Sequence, residues 1–465
     1  MESALDVAVP AHQRLVEFIS LSPTPFHAVV NAARRLTAVG FEEVVDAPGL
    51  ESPTAIPLPV RRSAPALPDR GYLRRGGALL AWSSPSLHAA RRDRSAVALP
   101  WRIIGAHTDS PNLRLKPRAQ RSWAGVTRLA AEPYGGVLLN SWLNRDLGLA
   151  GRVQVRTTGP VRSSGTASSR VPRTATRLFR VDQPTLVVPQ LAIHLDRGVN
   201  ERGLVLDPQQ HLNPVWRLGS DIADPECFVE WLASQVDVAP RDVVGYDVMC
   251  HDVAAPALIG ADMLASARLD NLCCSFGAVE TLLAAPQDAR YGVIVALFDH
   301  EEVGSESATG AASVLLSSLL DRLWDAAGAN TEDRARSLAG SRMLSADMAH
   351  GVHPNFPDRH EPGHLPLLGG GLVIKHNVNG RYATEAVGSG ELVAACQDAD
   401  VPTQTFVNRA DLVCGSTIGP TSAARLGVHT TDVGLASWSM HSIREVMAVA
   451  DVDHMLRGFR CWLDS

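Results

Sequence analysis

The sequence is poor in several features that would each fix a protein's class. It has no long apolar run: stretches such as Gly292 to Phe298 fall far short of the roughly 20 residues that a bilayer-spanning helix needs. Its opening, MESALDVAVPAHQ, lacks the basic start and the apolar stretch of a secretion signal. A cytoplasmic protein is therefore expected. Positive charge is not in excess, with 43 basic against 49 acidic residues and a formal net charge of −6. That balance disfavours nucleic acid and anionic membranes as partners. The cysteine count is an odd seven, and Cys227, Cys250, Cys273, Cys274, Cys396, Cys414 and Cys461 show no CxxC spacing. Neither a disulfide framework nor a thiolate zinc site is expected, and the thiols read as reduced, mostly buried side chains.

What is present is enough apolar material, 45% of 465 residues, for more than one core, and a length that suits roughly two or three domains. Thr24 and Pro25 ahead of FHAVVNAARRLTAVG read as an N-cap, a proline at the first helical position, an amphipathic helix and a glycine stop. The segments GYLRRGGALLAW (71–82) and WRIIGAHTD (101–109) read as strands. From about Arg114 to Cys250 the texture becomes short strand-like pieces, GGVLLNSW, GRVQVRT, RLFRVD and TLVVPQLAIHL, between turn residues. The Ser/Thr/Arg/Gly-rich stretch from Thr157 to Thr176 reads as a surface loop, either a disordered insertion or a lid.

Beyond about residue 251, helical spacing of Leu269, Leu272, Phe276, Val279 and Leu283 gives way to a buried strand over Tyr291 to Phe298. A helix over Ala308 to Ala327 and a strand over Arg342 to Ala346 follow. Alternation of this kind predicts an α/β fold, a mixed sheet flanked by helices. The economical organisation is one discontinuous α/β catalytic domain, 1–112 and 251–465, interrupted by a mostly β domain over 113–250.

Four polar segments fall at the ends of expected strands or just after them: His107-Thr108-Asp109, Asp270-Asn271, Asp299-His300-Glu301-Glu302 and Ser345-Ala346-Asp347. A fifth, Met440-His441-Ser442, precedes the C-terminal helix. Sites in open α/β sheets lie at the carboxyl ends of strands. Zinc accepts imidazole nitrogen and carboxylate oxygen, so the set suits a two-metal hydrolase. His107 and Asp347 would hold one metal, Glu302 and His441 the other, with Asp270 bridging ions roughly 3.5–4 Å apart. Glu301 is then free to act as general base, and Asp109 can accept the second imidazole N–H of His107. Taken singly, each residue is as readily a cap or a solvated side chain, Asp270 a helix cap above all. Their joint placement is what points to a metallohydrolase.

At these residues the sequence resembles the aspartyl aminopeptidase family of dinuclear zinc peptidases. The matching stretches run in order: GAHTDSP (105–111), RLDNL (268–272), LFDHEEVGS (297–305), SADMAHGVHPN (345–355), VIKHNVNGRYAT (373–384), GSTIGP (415–420) and MHSIRE (440–445). LAIHLDRGVNERG (191–203) belongs to the same likeness. The resemblance implies metal ligands at His107, Asp270, Glu302, Asp347 and His441, the base at Glu301 and the orienting carboxylate at Asp109. It also implies that His194 reaches into a neighbouring subunit's active site, and that dimers, joined through the inserted domain, assemble into dodecamers. By residue chemistry alone His194 is a strand histidine. Lys375, which interrupts Leu372-Val373-Ile374, is either an exposed strand lysine or a partner for an acidic substrate side chain; the family implies the latter, and a substrate role for Tyr382.

The implied activity is removal of an N-terminal residue, preferably Asp or Glu, from peptides with a free N-terminus, using two Zn2+ per subunit. Carboxylate-rich sites of this kind also accept cobalt or manganese. Another amidohydrolase on the same scaffold, a deacylase or carboxypeptidase, and a non-catalytic assembly or cargo protein are the alternatives; intact Glu301 and five ligands argue against the last. Thr157 to Thr176 and Ala64 to Val97 are longer or richer in Arg and Ser than the family leads one to expect.

Overall fold

The most apolar segments form the middle of one sheet. In the computed structural model, which describes residues 9–45, 67–84, 87, 98–157, 174–219, 227–286 and 290–465, thirteen strands make up this sheet. At its centre Gly292–Phe298, Trp101–His107, Arg342–Ala346 and His429–Trp438 run parallel. The hairpin Arg70–Arg75 and Ala78–Ser83 extends one side in antiparallel fashion, and Glu445–Ala448 pairs antiparallel on the other. The mixed sheet expected from the alternating pattern is thus present, but GYLRRGGALLAW makes two strands. Gly76 at φ +59° turns the chain between them.

Strand side chains alternate between faces, so a seven-residue apolar strand can serve two cores. Val293, Val295 and Leu297 pack under the helices Ala11–Ser20, Pro25–Ala38, Leu269–Leu283 and Ala450–Asp464, through Leu15, Leu36, Phe276 and Phe459. Ile294, Ala296 and Phe298 face Leu315–Ala327 on the opposite side, through Leu316, Leu319 and Leu323. That last helix begins seven residues later than its composition suggests. Residues 308–314 turn instead, with Gly310 so close to Ser305 that a Cβ would meet its carbonyl oxygen at 2.1 Å.

A second sheet of six antiparallel strands lies between Asn112 and Asp252 in sequence, in the order Thr174–Leu186, Leu147–Arg156, Val243–Asp252, Asn112–Trp123, Val126–Tyr134, Val215–Leu218. Its own core joins Leu113, Leu129, Leu149 and Val153 to Phe228 and Leu232 of the helix Cys227–Gln235. Two of the expected strands are absent. GGVLLNSW turns as Leu139–Trp142, and TLVVPQLAIHL keeps only isolated bridges at Val187 and Val188 after the strand ends at Leu186, then finishes in the short turn Ile193–Leu195. Once Val188 has entered the core, the remaining apolar residues find no facing layer: Leu191, Ile193 and Leu195 are exposed. Residues 158–173, most of the expected loop, and residues 64–66, 85–86 and 88–97 of the stretch between Ala64 and Val97 lie outside the described residues.

Cys250, Cys273, Cys274 and Cys396 are buried, and Cys414 and Cys461 half-buried, all as free thiols. Among the described residues, no helix is long and apolar enough to cross a membrane.

Candidate metal centre

Register places the acids together. Phe298 lies opposite His107, and Ser345 opposite Gly105, so Asp299-His300-Glu301-Glu302, His107 and Asp347 emerge at one carboxyl edge from three adjacent parallel strands. Asp270 arrives from the start of Leu269–Leu283. That helix start is pinned by Asn271 Nδ2 donating to the carbonyl of Ala346 at 2.8 Å and by Ser110 Oγ donating to the carbonyl of Asp270 at 2.7 Å. His441 completes the set from a left-handed turn, φ +67°.

The two imidazoles are oriented alike. Nδ1 of His107 lies 3.0 Å from the main-chain carbonyl of Asp109, and Nδ1 of His441 lies 3.0 Å from that of Gly136. A carbonyl can only accept, so each Nδ1 carries a proton and each Nε2 is presented to the carboxylates. Nε2 of His107 is 3.5 Å from Asp270 Oδ1 and 3.7 Å from Asp347 Oδ1. Nε2 of His441 is 3.4 Å from Asp270 Oδ2 and 3.3 Å from Glu302 Oε2. These separations exceed a direct N–H···O bond and match the roughly 3.4 Å between ligand atoms placed tetrahedrally about an ion at ~2.1 Å.

Three groups have ligand atoms within 4.8 Å of one another: His107, Asp270 and Asp347; Asp270, Glu302 and His441; and His107, Glu301 and Glu302. Asp270 Oδ1 and Glu302 Oε1 are buried without a hydrogen-bond partner among the described residues. A buried carboxylate oxygen left unpaired is costly. The donor set therefore fits divalent cations of the zinc class.

The charges support the same conclusion. Burial, joined by repulsion from carboxylates including Asp347 and Asp109, pushes Glu301 up to about 8 despite the opposing pull of His107. Burial and the Asp270 charge push Glu302 well above the carboxylate range. For His441 burial acts downward but is outweighed by Asp270 and Glu302, which raise it to about 10; His107 is raised in the same way by Asp109, Asp270 and Asp347. Without cations the cluster draws protons, and cations would displace them.

Asp109 lies beyond the end of its strand and is fully buried. Its Oδ1 stands 3.5 Å from His107 Nδ1, farther than its own carbonyl does, and accepts the N–H of Glu301 at 3.1 Å. Oδ2 accepts the N–H of Glu302 at 3.1 Å.

Lys375 is 2% exposed, which removes the exposed-lysine alternative. Its Nζ donates to the carbonyl of Met348 at 2.7 Å and lies 3.6 Å from Asp347 Oδ2. With buried Tyr382, whose ring centroid is 5.5 Å from Nζ, it lines a cleft of about 520 Å³ that also reaches Asp270, Glu301, Glu302 and His441. His194 is not in this cluster: it lies on the exposed turn Ile193–Leu195, not on a strand.

Three contributors escaped the sequence reading. Glu445, buried, accepts the N–H of Asp270 at 3.0 Å and of His441 at 2.9 Å, and so holds the main chain of two candidate ligands. Tyr134 donates its hydroxyl to Asp109 Oδ2 at 2.6 Å. Gly136, beside it, accepts from His441 as described. The glycine pair that opens GGVLLNSW and the Glu in MHSIRE were the available signals, but nothing in them names the partner.

A family model described as "Aminopeptidase I zinc metalloprotease (M18)" matches residues 18–462. The chain is 45% identical over 442 residues to a probable M18 family aminopeptidase 2 of Streptomyces avermitilis, covering 94% of each chain. Among solved structures it is similar to that titled "Cryo-EM structure of the Ape4 and Nbr1 complex", with TM-score 0.85 and 32% identity over 97% of this chain and 85% of that one. It is also similar to the S. cerevisiae mApe1 dodecamer, with TM-score 0.77 and 25% identity over 97% and 96%. The matched residues take in both sheets and every residue of the metal cluster, and the chain belongs to the M18 family of zinc aminopeptidases.

Proposed function

We propose that this aminopeptidase removes an N-terminal residue, preferably Asp or Glu, with two zinc ions. His107 and Asp347 would hold one, Glu302 and His441 the other, and Asp270 would bridge them. The observation that carries this reading is the division of the Asp270 carboxylate, one oxygen facing Nε2 of His107 and the other Nε2 of His441. When bound, the ions supply Lewis acidity toward the scissile carbonyl and the attacking water.

Glu301 takes the water's proton and returns it to the leaving amine. Asp109 holds the main chain of Glu301 and Glu302 and orients His107. Lys375, at the floor of the cleft beside Tyr382, meets the acidic side chain of the substrate. The inserted sheet, residues 113–250, serves dimerisation, and His194 acts in the cleft of a neighbouring subunit. Exposed Leu191, Ile193 and Leu195 around it suit a subunit contact. Assembly of dimers into a dodecamer is inferred by likeness to the mApe1 dodecamer. A cytoplasmic setting accords with the free thiols.

The test pairs chromogenic substrates bearing N-terminal Asp or Glu against Leu or Ala, with and without chelator and restored zinc. Glu301→Gln should keep about two zinc ions per chain while activity falls by orders of magnitude. Loss of zinc in that variant would reassign Glu301 as a ligand. Chelator-sensitive turnover that prefers Leu would remove the acidic specificity.

A further inference from the structure

We propose that Tyr134, carried by the inserted sheet, is a positioning residue for the peptidase chemistry: its hydroxyl orients the Asp109 carboxylate, which holds the main chain of Glu301 and Glu302 and flanks the His107 imidazole. The inference rests on the roles proposed above for His107 and Glu301.

Asp109 has no exposure to solvent, so its hydrogen bonds come from protein. Oδ1 takes the Glu301 N–H and faces His107; Oδ2 takes the Glu302 N–H and the Tyr134 hydroxyl, and the hydroxyl contact, at 2.6 Å, is the shortest of the four. It is also the one contact of these four that comes from the second sheet. A carboxylate's terminal torsion is broad and soft, so its plane is set by what bonds it. Without the phenol, the carboxylate is held by the two main-chain donors alone, and a tilt of its plane shifts the bonds that fix Glu301 and Glu302.

Tyr134 is itself held. It ends the strand Val126–Tyr134; on the adjoining strand Arg114, paired with Glu132, sets its guanidinium carbon 3.4 Å from the ring centroid. The His300 ring packs edge-on at 6.4 Å. Gly135, at φ +73°, then brings the chain so close to Glu302 that a Cβ there would lie 2.9 Å from the Glu302 Cβ. Burial and the Asp109 charge push the phenol far above its ordinary titration range, which keeps it a donor. The side chain stands behind Asp109 and is not among the residues lining the cleft, so it acts through the carboxylate and not on substrate.

Tyr134→Phe removes the hydroxyl and keeps the ring. Removal of the bonding partner behind a metal ligand costs about tenfold to hundredfold. The variant should therefore show kcat reduced by about that factor, KM within about twofold, and zinc affinity, read by chelator competition, weakened about tenfold. A bond that merely docks the two sheets would lower the melting temperature of the metal-free protein but leave kcat per bound zinc and zinc affinity unchanged, and that result overturns the proposal. Glu301→Gln is assayed in parallel. If it is inactive with zinc retained, a silent Tyr134→Phe sinks the Tyr134 role alone; if it stays active, the assignment of the base falls and the Tyr134 role with it.

Discussion

Replacing Lys375 by Met would remove a buried cation whose surroundings admit two explanations. Its Nζ already donates to Met348 and sits 3.6 Å from Asp347 Oδ2, so it either completes the Asp347 environment or offers its remaining N–H to a substrate carboxylate. Unit charges about 4 Å apart at an effective dielectric of ~20 attract by about 4 kcal/mol. Desolvating the substrate carboxylate offsets part of this, leaving about 2–3 kcal/mol, near the lower end of what truncating one partner of a buried charge pair costs. At 1.36 kcal/mol per tenfold, the kcat/KM for an N-terminal Asp substrate should fall roughly 30- to 160-fold relative to an N-terminal Leu substrate. The assay is the ratio of the two kcat/KM values, in which any change at the metal cancels. An equal loss for both substrates would refute the specificity role and leave Lys375 as a support for Asp347.

Gly136→Ala would place a Cβ 2.9 Å from His441 Nδ1, and zinc affinity should drop about tenfold to hundredfold at the His441 side first, seen as a second zinc that dissociates early in a chelator titration; two equally tight ions would show that the loop yields. The chelated protein should lose stability as pH rises from about 5 to 8. Glu301, raised from an ordinary 4.5 to about 8, contributes stability that is complete below 4.5 and lost through 8. His441, raised from 6.5 to about 10, acts in the same sense over a higher window. Melting curves with and without zinc test this: the loaded protein should vary little over that range, and a metal-free melting temperature that climbs with pH would contradict the account.

The ends of the central strands were readable because seven consecutive apolar residues, Gly292–Phe298, have few places to go except the middle of a covered sheet. The polar residues that follow must then surface at its edge. The same logic placed His107 and Asp347, and helical periodicity placed Asp270 at a helix start. Where one side has no facing layer, the pattern misleads: TLVVPQLAIHL has strand composition but leaves the sheet after Val188, and His194 ends on an exposed turn.

The sequence by itself determined the alternation of strands and helices, the candidate ligands and the family, because these follow from local periodicity and from residue types at set spacings. Tertiary structure alone decided that Lys375 is buried, that Asp270 turns one oxygen to each imidazole, and that Tyr134, Gly136 and Glu445 support the cluster. Those facts depend on contacts between residues 25 to 305 positions apart. No local propensity encodes such contacts: those of Lys375, Asp270 and Glu445 need the first sheet assembled, and those of Tyr134 and Gly136 need the inserted segment packed against it.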